Sequence, residues 1–266
     1  MSRLDNRQRA FLCEMGITTT WERRSLEAAQ IPAAELAPVL QSAEWEDSVQ
    51  QSAPVELRER RELPVDAAAA TASPVSSLSW SELKAEVAAC VKCGLCHKRT
   101  NTVFGVGDEK AKWLFVGEGP GRNEDARGEP FVGPAGKLLD NMLLALGLRR
   151  GDNAYIANIV KCRPTDATGK DRPPTAEETA ACMPYLLRQI ALIQPTVIVA
   201  LGKTAALALL ELDPTTPVSA LRGKLHRYAD RPLVVTYHPA YLLRTPADKR
   251  KAWADLCLAQ QTYARA

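Results

Sequence analysis

Five cysteines, two glutamates, an asparagine, a histidine and an aromatic residue stand where this chain could do chemistry. Cys90 and Cys93 form a C-x-x-C pair, Cys96 repeats the interval, and Cys162 and Cys182 follow far downstream. Thiolates so spaced hold zinc tetrahedrally or an iron–sulfur cluster, and spacing alone does not choose between them. Unligated buried thiols are the weaker reading for the C-x-x-C pair, whereas Cys13 and Cys257, which sit in helical patterns, are assigned to packing. The run "GEGPG" (residues 117–121) offers main chain that a ligand can approach closely, with Glu118 inside it and Glu124 just beyond. It is not a dinucleotide fingerprint, because Arg122 stands where the last glycine would be. Phe131 lies in a Gly/Pro-rich loop, where an aromatic either lids a core or stacks a planar base. "VVTYHPAYLLR" ends an apolar run on His238 and Pro239, then displays Tyr241, Leu242 and Arg244.

These residues need a frame. Four apolar, β-prone runs, "KWLFVGE", "AYIANIVKC", "TVIVALG" and "PLVVTYHP", alternate with helix-like stretches such as "AGKLLDNMLLALGL" and "TAEETAACMPYLLRQIALI". Strands without polar alternation, separated by helices, predict an α/β fold: three α/β/α layers around a central four-stranded parallel sheet. Ligands of such sheets bind beyond the carboxyl ends of the strands. "GEGPG", "NIVKCRP" and "HPAYLLR" all fall there, so the site is expected to be composite.

Residues 1–78 read as an N-terminal extension, largely disordered, with a short helix around Phe11, Leu12, Met15 and Ile17 followed by an Ala/Glu/Gln/Pro/Ser-rich tether. Order is expected from residue 79 to residue 266, opening on Ser79 and Glu82 at capping-box spacing. The extension holds 8 Lys and Arg against 12 Asp and Glu, a net of −4, and the remainder 26 against 19, a net of +7. That basic balance suits a polyanion or merely a solvated surface. No apolar run reaches the roughly 20 residues that cross a bilayer. The start "MSRLDNRQRAFLCEMG" lacks the apolar stretch of about 7–15 residues that a secretory signal carries, so a cytoplasmic protein is expected.

Taken in order, "CVKC", "VFGVGD", "LFVGEGPGRNEDARGEPFVGPAGKLLD", "YIANIVKCRP", "VIVALGKTAA", "LRGK" and "YHPAYLLR" resemble the type-4 uracil-DNA glycosylases, iron–sulfur members of their superfamily. The likeness spans roughly residues 80–260 and leaves out the extension. It implies a monomeric DNA-repair enzyme that flips uracil from DNA and hydrolyses its N-glycosidic bond, leaving an abasic site. It implies a 4Fe-4S cluster on Cys90, Cys93, Cys162 and Cys182, with Cys96 a bystander. Phe131 would stack uracil, Asn158 would pair with its N3–H and O4, and the Gly119 backbone would line the pocket. His238 would donate to O2 of the departing base, while Glu118 or Glu124 orients water or steadies the charged sugar. Tyr241 or Leu242 would enter the space left by the flipped nucleotide, with Arg244 reaching phosphate.

Two other readings stay open. A related branch captures uracil-DNA covalently through a histidine-bearing loop, but the corresponding "TDATGKDRPPTAEE" (residues 165–178) contains no histidine. The other is a nucleotide-binding α/β module stabilised by zinc.

Overall fold

A computed structural model describes residues 74–266; the helix expected near residues 11–17 and most of the tether lie outside the described residues. Regular structure is already present before residue 79. A 3₁₀ turn at Pro74–Ser77 puts Val75 into the core, and Arg188 Nε donates to the Leu78 carbonyl at 2.6 Å. Helix α1 (Trp80–Ala89) then opens on the expected capping box, in which Ser79 and Glu82 satisfy each other's backbone N–H groups.

Strand β1 (Val106–Gly107) is only two residues long. The apolar runs form β2 (Trp113–Gly117), β3 (Ala154–Asn158), β4 (Val197–Leu201) and, after β5 (Leu225–Tyr228), β6 (Arg231–Thr236). The spatial order is β1-β3-β2-β4-β6-β5. The central β3-β2-β4-β6 set is parallel, as expected, and an antiparallel strand closes each edge. Every residue of β2, β3 and β4 is buried, because helices cover both faces.

Alternation within each strand sorts the two cores. Leu114, Val116, Tyr155, Ile198 and Val235 pack with Leu83 and Val87 of α1, with α4 (Ala176–Ile193) and with α5 (Lys203–Leu210). Trp113, Phe115, Ile156, Val199 and Val234 pack on the other face with α3 (Pro134–Ala145) and α8 (Lys249–Tyr263). Each such side chain contributes about 1.5–3 kcal/mol by leaving water. Three short α-helices remain among the described residues, α2 (Arg122–Arg127), α6 (Val218–Leu221) and α7 (Pro239–Arg244), beside 3₁₀ turns at Gly94–His97 and Pro246–Asp248.

Strand β2 is flanked by β3 and β4, so the chain leaves its end toward one side and later returns on the other. That reversal of strand order is where an open parallel sheet forms a crevice. Gly117 pairs in register with Asn158, and Leu201 with Thr236, two residues before His238. The fold thereby delivers "GEGPG", Asn158 and His238 to one edge.

Candidate active site

A pocket of ≈ 210 Å³ opens there, lined among others by Glu118, Gly119, Glu124, Phe131, Asn158 and His238. It is smaller than the ~300–1,000 Å³ usual for drug-sized ligands and suits something nearer a single heterocyclic ring. Each of these six was expected at the site from sequence. Asp171 and Arg172 also line the wall and were missed. They come from the charged loop after β3, where Arg163 pairs with Asp171 at 2.6 Å and Arg172 with Glu178 at 2.6 Å, and no sequence pattern marks them as pocket residues.

The pocket's main wall is built under constraint. Phe131 is buried and holds φ at +55°, a left-handed conformation that a bulky residue seldom adopts. Arg150 fixes it, donating to the Phe131 and Pro130 carbonyls at 2.7 Å each while its Nε pairs with Asp140 at 3.0 Å. Gly136 makes room, since a methyl there would lie 1.7 Å from the Phe131 carbonyl oxygen. Glu124 accepts from the N–H groups of Val132 at 2.9 Å, Gly133 at 3.0 Å and Gly121 at 3.2 Å, clamping this loop to the end of β2. Asp125 next to it is buried and turned elsewhere, accepting from Thr100 N–H at 2.9 Å.

Asn158 is buried, and its Oδ1 has no hydrogen-bond partner among the described residues. A buried acceptor left empty costs about 1–3 kcal/mol, which folding tolerates where a ligand supplies the donor. Gly117 is what lets it meet the aromatic wall. A methyl at Gly117 would sit 2.5 Å from Asn158 Oδ1 and 2.6 Å from Phe131 Cζ.

His238 is the N-cap of α7, and its Nδ1 accepts from Ala240 N–H at 3.2 Å. Accepting at Nδ1 leaves the proton of the neutral ring on Nε2, where it is a donor. Burial pushes its pKa down to about 4, the Arg244 charge acts the same way, and Glu124 opposes them. The ring is therefore neutral at ordinary pH. It lies 5.5 Å from the Phe131 ring, centroid to centroid. Glu118 accepts a hydrogen bond from the Thr204 hydroxyl at the start of α5.

Beyond His238, Leu242 is 1% exposed and packs against Leu138, Met142 and Leu256 between α3 and α8. Its neighbour Leu243 is 44% exposed. Tyr241 donates to Asp248 at 2.6 Å and lies ring to ring with Tyr237 at 4.9 Å, while Arg244 is exposed.

Cys90, Cys93, Cys162 and Cys182 line a second, separate cavity behind this edge, and Cys96 lines it as well. As free thiols, Cys162 and Cys182 have raised pKa values through burial, Cys182 to about 11. Arg99 Nη1 donates to Cys162 Sγ at 3.2 Å, and Lys161 N–H to Cys182 Sγ at 3.2 Å. No group of three His, Cys, Asp or Glu among the described residues is drawn tightly enough to grip one metal ion. Cys257 sits partly buried in α8, away from the cavity, and Cys13 lies outside the described residues.

The sequence profile of the uracil-DNA glycosylase superfamily matches residues 104–257. This chain belongs to that superfamily. It is 47% identical over 184 residues to the type-4 uracil-DNA glycosylase of Archaeoglobus fulgidus, covering 66% of this chain and 89% of that protein. It is 45% identical over 161 residues to the type-4 enzyme of Thermotoga maritima, covering 60% of this chain and 81% of the relative. A type-5 uracil-DNA glycosylase of Pyrobaculum aerophilum is more distant, 32% identical over 150 residues, covering 51% of this chain and 64% of that protein. The superfamily match contains all six of the expected pocket residues and Cys162 and Cys182, while Cys90 and Cys93 lie before its start. No helix among the described residues is long and apolar enough to cross a membrane.

Proposed function

We propose that this protein is a DNA-repair glycosylase that flips uracil out of DNA and hydrolyses its N-glycosidic bond, releasing free uracil and leaving an abasic site. The empty, buried Asn158 Oδ1 carries the reading. It is an acceptor awaiting a donor, and uracil N3–H supplies one, while the same amide's NH₂ donates to O4. Cytosine presents an acceptor at N3 and an amine at position 4, so both contacts fail.

Phe131 provides the flat wall for the flipped ring, a stack worth about 1–3 kcal/mol. As the bond to the sugar stretches, negative charge grows on uracil O2, and the Nε2–H of neutral His238 is the donor that meets it. A donor preorganised for charge that appears only in the transition state is commonly the largest catalytic contribution. Water adds to the sugar and loses a proton. Glu124 commits its oxygens to three backbone N–H groups, which supports a role in holding the Phe131 loop, whereas Glu118 accepts from one hydroxyl, that of Thr204, and is the carboxylate favoured to orient the water. Leu243 and Tyr241 face the opened helix and Arg244 a phosphate, Leu243 replacing the buried Leu242.

Cys90, Cys93, Cys162 and Cys182 would hold a 4Fe-4S cluster, with Cys96 beside it. The fit rests on the donor set: these thiols share one cavity without closing on a single point, and N–H donors already face two of the sulfurs. When bound, the cluster supplies a cross-link from the end of α1 to the chain after β3 and to α4.

Base release from matched oligonucleotides tests the proposal. Free uracil should appear from uracil-containing DNA and nothing from thymine or cytosine controls, with strand breakage only after alkali. A stable protein–DNA adduct without free uracil would overturn it.

A further inference from the structure

Lys161 is a charge the mechanism does not use. Its side chain is 1% exposed, and its ammonium donates to the Asn158 carbonyl at 3.0 Å and to Gln189 Oε1 at 2.6 Å, two of its three N–H donors. The Gln189 amide is fixed in that sense because its Nε2 donates to the Phe104 carbonyl at 3.0 Å. Both partners of the ammonium are neutral, and no carboxylate among the described residues pairs with it. Burying a charge without a counter-charge costs several kcal/mol. The same residue lines the cysteine cavity and donates its backbone N–H to Cys182.

Four thiolates around an iron–sulfur core leave a net anion, and the cavity wall holds three cationic residues, Lys92, Arg99 and Lys161, of which Lys92 is exposed and already paired with Glu86 at 3.5 Å. Arg99 is anchored from the other side, on the Cys90 carbonyl at 2.7 Å and the Ala88 carbonyl at 3.2 Å. We infer that Lys161 is the buried counter-cation of the cysteine-held cluster, and that through the Asn158 carbonyl it ties the presence of the cluster to the strand end presenting the base-reading amide. The inference rests on the cluster reading of the four cysteines. Lys161 is thus a positioning residue that acts through Asn158.

Two variants of the holoprotein test this, Lys161→Met, which keeps length without charge, and Lys161→Arg, which keeps charge. Reduction adds negative charge to the cluster, so removing a nearby cation should move the reduction potential to more negative values. Lys161→Met should show that shift and Lys161→Arg should stay near wild type. The melting temperatures should also separate: Lys161→Met melts below wild type when iron is bound and at or above it after iron is stripped by chelation. A lysine serving only as a hydrogen-bonding strut would lower both forms alike.

An unchanged potential in Lys161→Met overturns the inference, as does equal destabilisation of both forms. If Lys161→Met loses its iron, retention in Lys161→Arg supports the role of charge, and loss in both contradicts it. Iron analysis of the wild type separates the two failures: wild type without iron refutes the cluster reading itself, whatever Lys161 does.

Discussion

The pocket and the cysteine cavity are only a few residues apart along one strand end, from Asn158 to Cys162, yet they are built on opposite terms. The pocket keeps unspent capacity: an acceptor without a partner, a phenylalanine in a left-handed conformation, and glycines where a methyl would collide. The cavity is drawn together by donors to sulfur and lined by one buried cation, Lys161, and a half-buried one, Arg99. Polar capacity left empty by folding marks where a transient ligand binds, whereas charge buried with donors already in place marks a permanent one. Lys161 joins the two, with its backbone on a cavity sulfur and its ammonium on the asparagine carbonyl.

That contrast is best broken by substitutions that strike one side only. The largest effect should follow Cys162→Ser, which on the proposed cluster reading removes a ligand: iron content and much of the soluble, folded protein should be lost together, because binding at such sites is part of folding. Iron analysis and melting curves check it. His238→Ala should slow single-turnover uracil release by about 10²–10³ while iron content and melting stay near wild type. A brown, stable His238→Ala protein with a wild-type rate would remove this residue from the chemistry.

Gly117→Ala is smaller and more diagnostic. The added methyl pushes Asn158 Oδ1 and the Phe131 ring apart, so uracil release should fall about tenfold, with a stability cost on the order of 1 kcal/mol. Equal rates would show that the two groups do not act as one surface. Smallest of all, Leu243→Ala should cost only a few-fold on duplex DNA and nothing on single strands, which have no stack to hold open. Loss on both substrates would place Leu243 elsewhere in the mechanism.

Much of this was legible because apolar run length and strand-end position are sequence properties. The four parallel strands and the meeting of Glu118, Phe131, Asn158 and His238 followed from them. The edge strands did not. Val106–Gly107 is too short to show a pattern, and Leu225–Tyr228 alternates between exposed and half-buried residues in a polar run. Leu242 and Leu243 are adjacent leucines on a helix of six residues, and which one faces inward depends on packing against α3 and α8. Asp171 and Arg172 reach the pocket from a loop whose course is set by ion pairs that no local periodicity reveals. Lys161 stands beside Cys162 in the sequence, where nothing local distinguishes a buried charge from an exposed one.

The central claim is that a neutral His238, held so by burial and by Arg244, meets the charge on the departing base. Its folded pKa of about 4 lies below the ordinary 6.5, so between those values the unfolded chain binds more protons than the folded one. This residue's contribution to stability is therefore complete above about 6.5 and lost as pH falls toward 4. The direct test is single-turnover uracil release as a function of pH. The rate should hold level from about pH 8 to about pH 5 and fall only on approaching 4, as the ring gains its second proton. A rate that instead halves near pH 6.5, the value for an ordinary exposed histidine, would contradict the account.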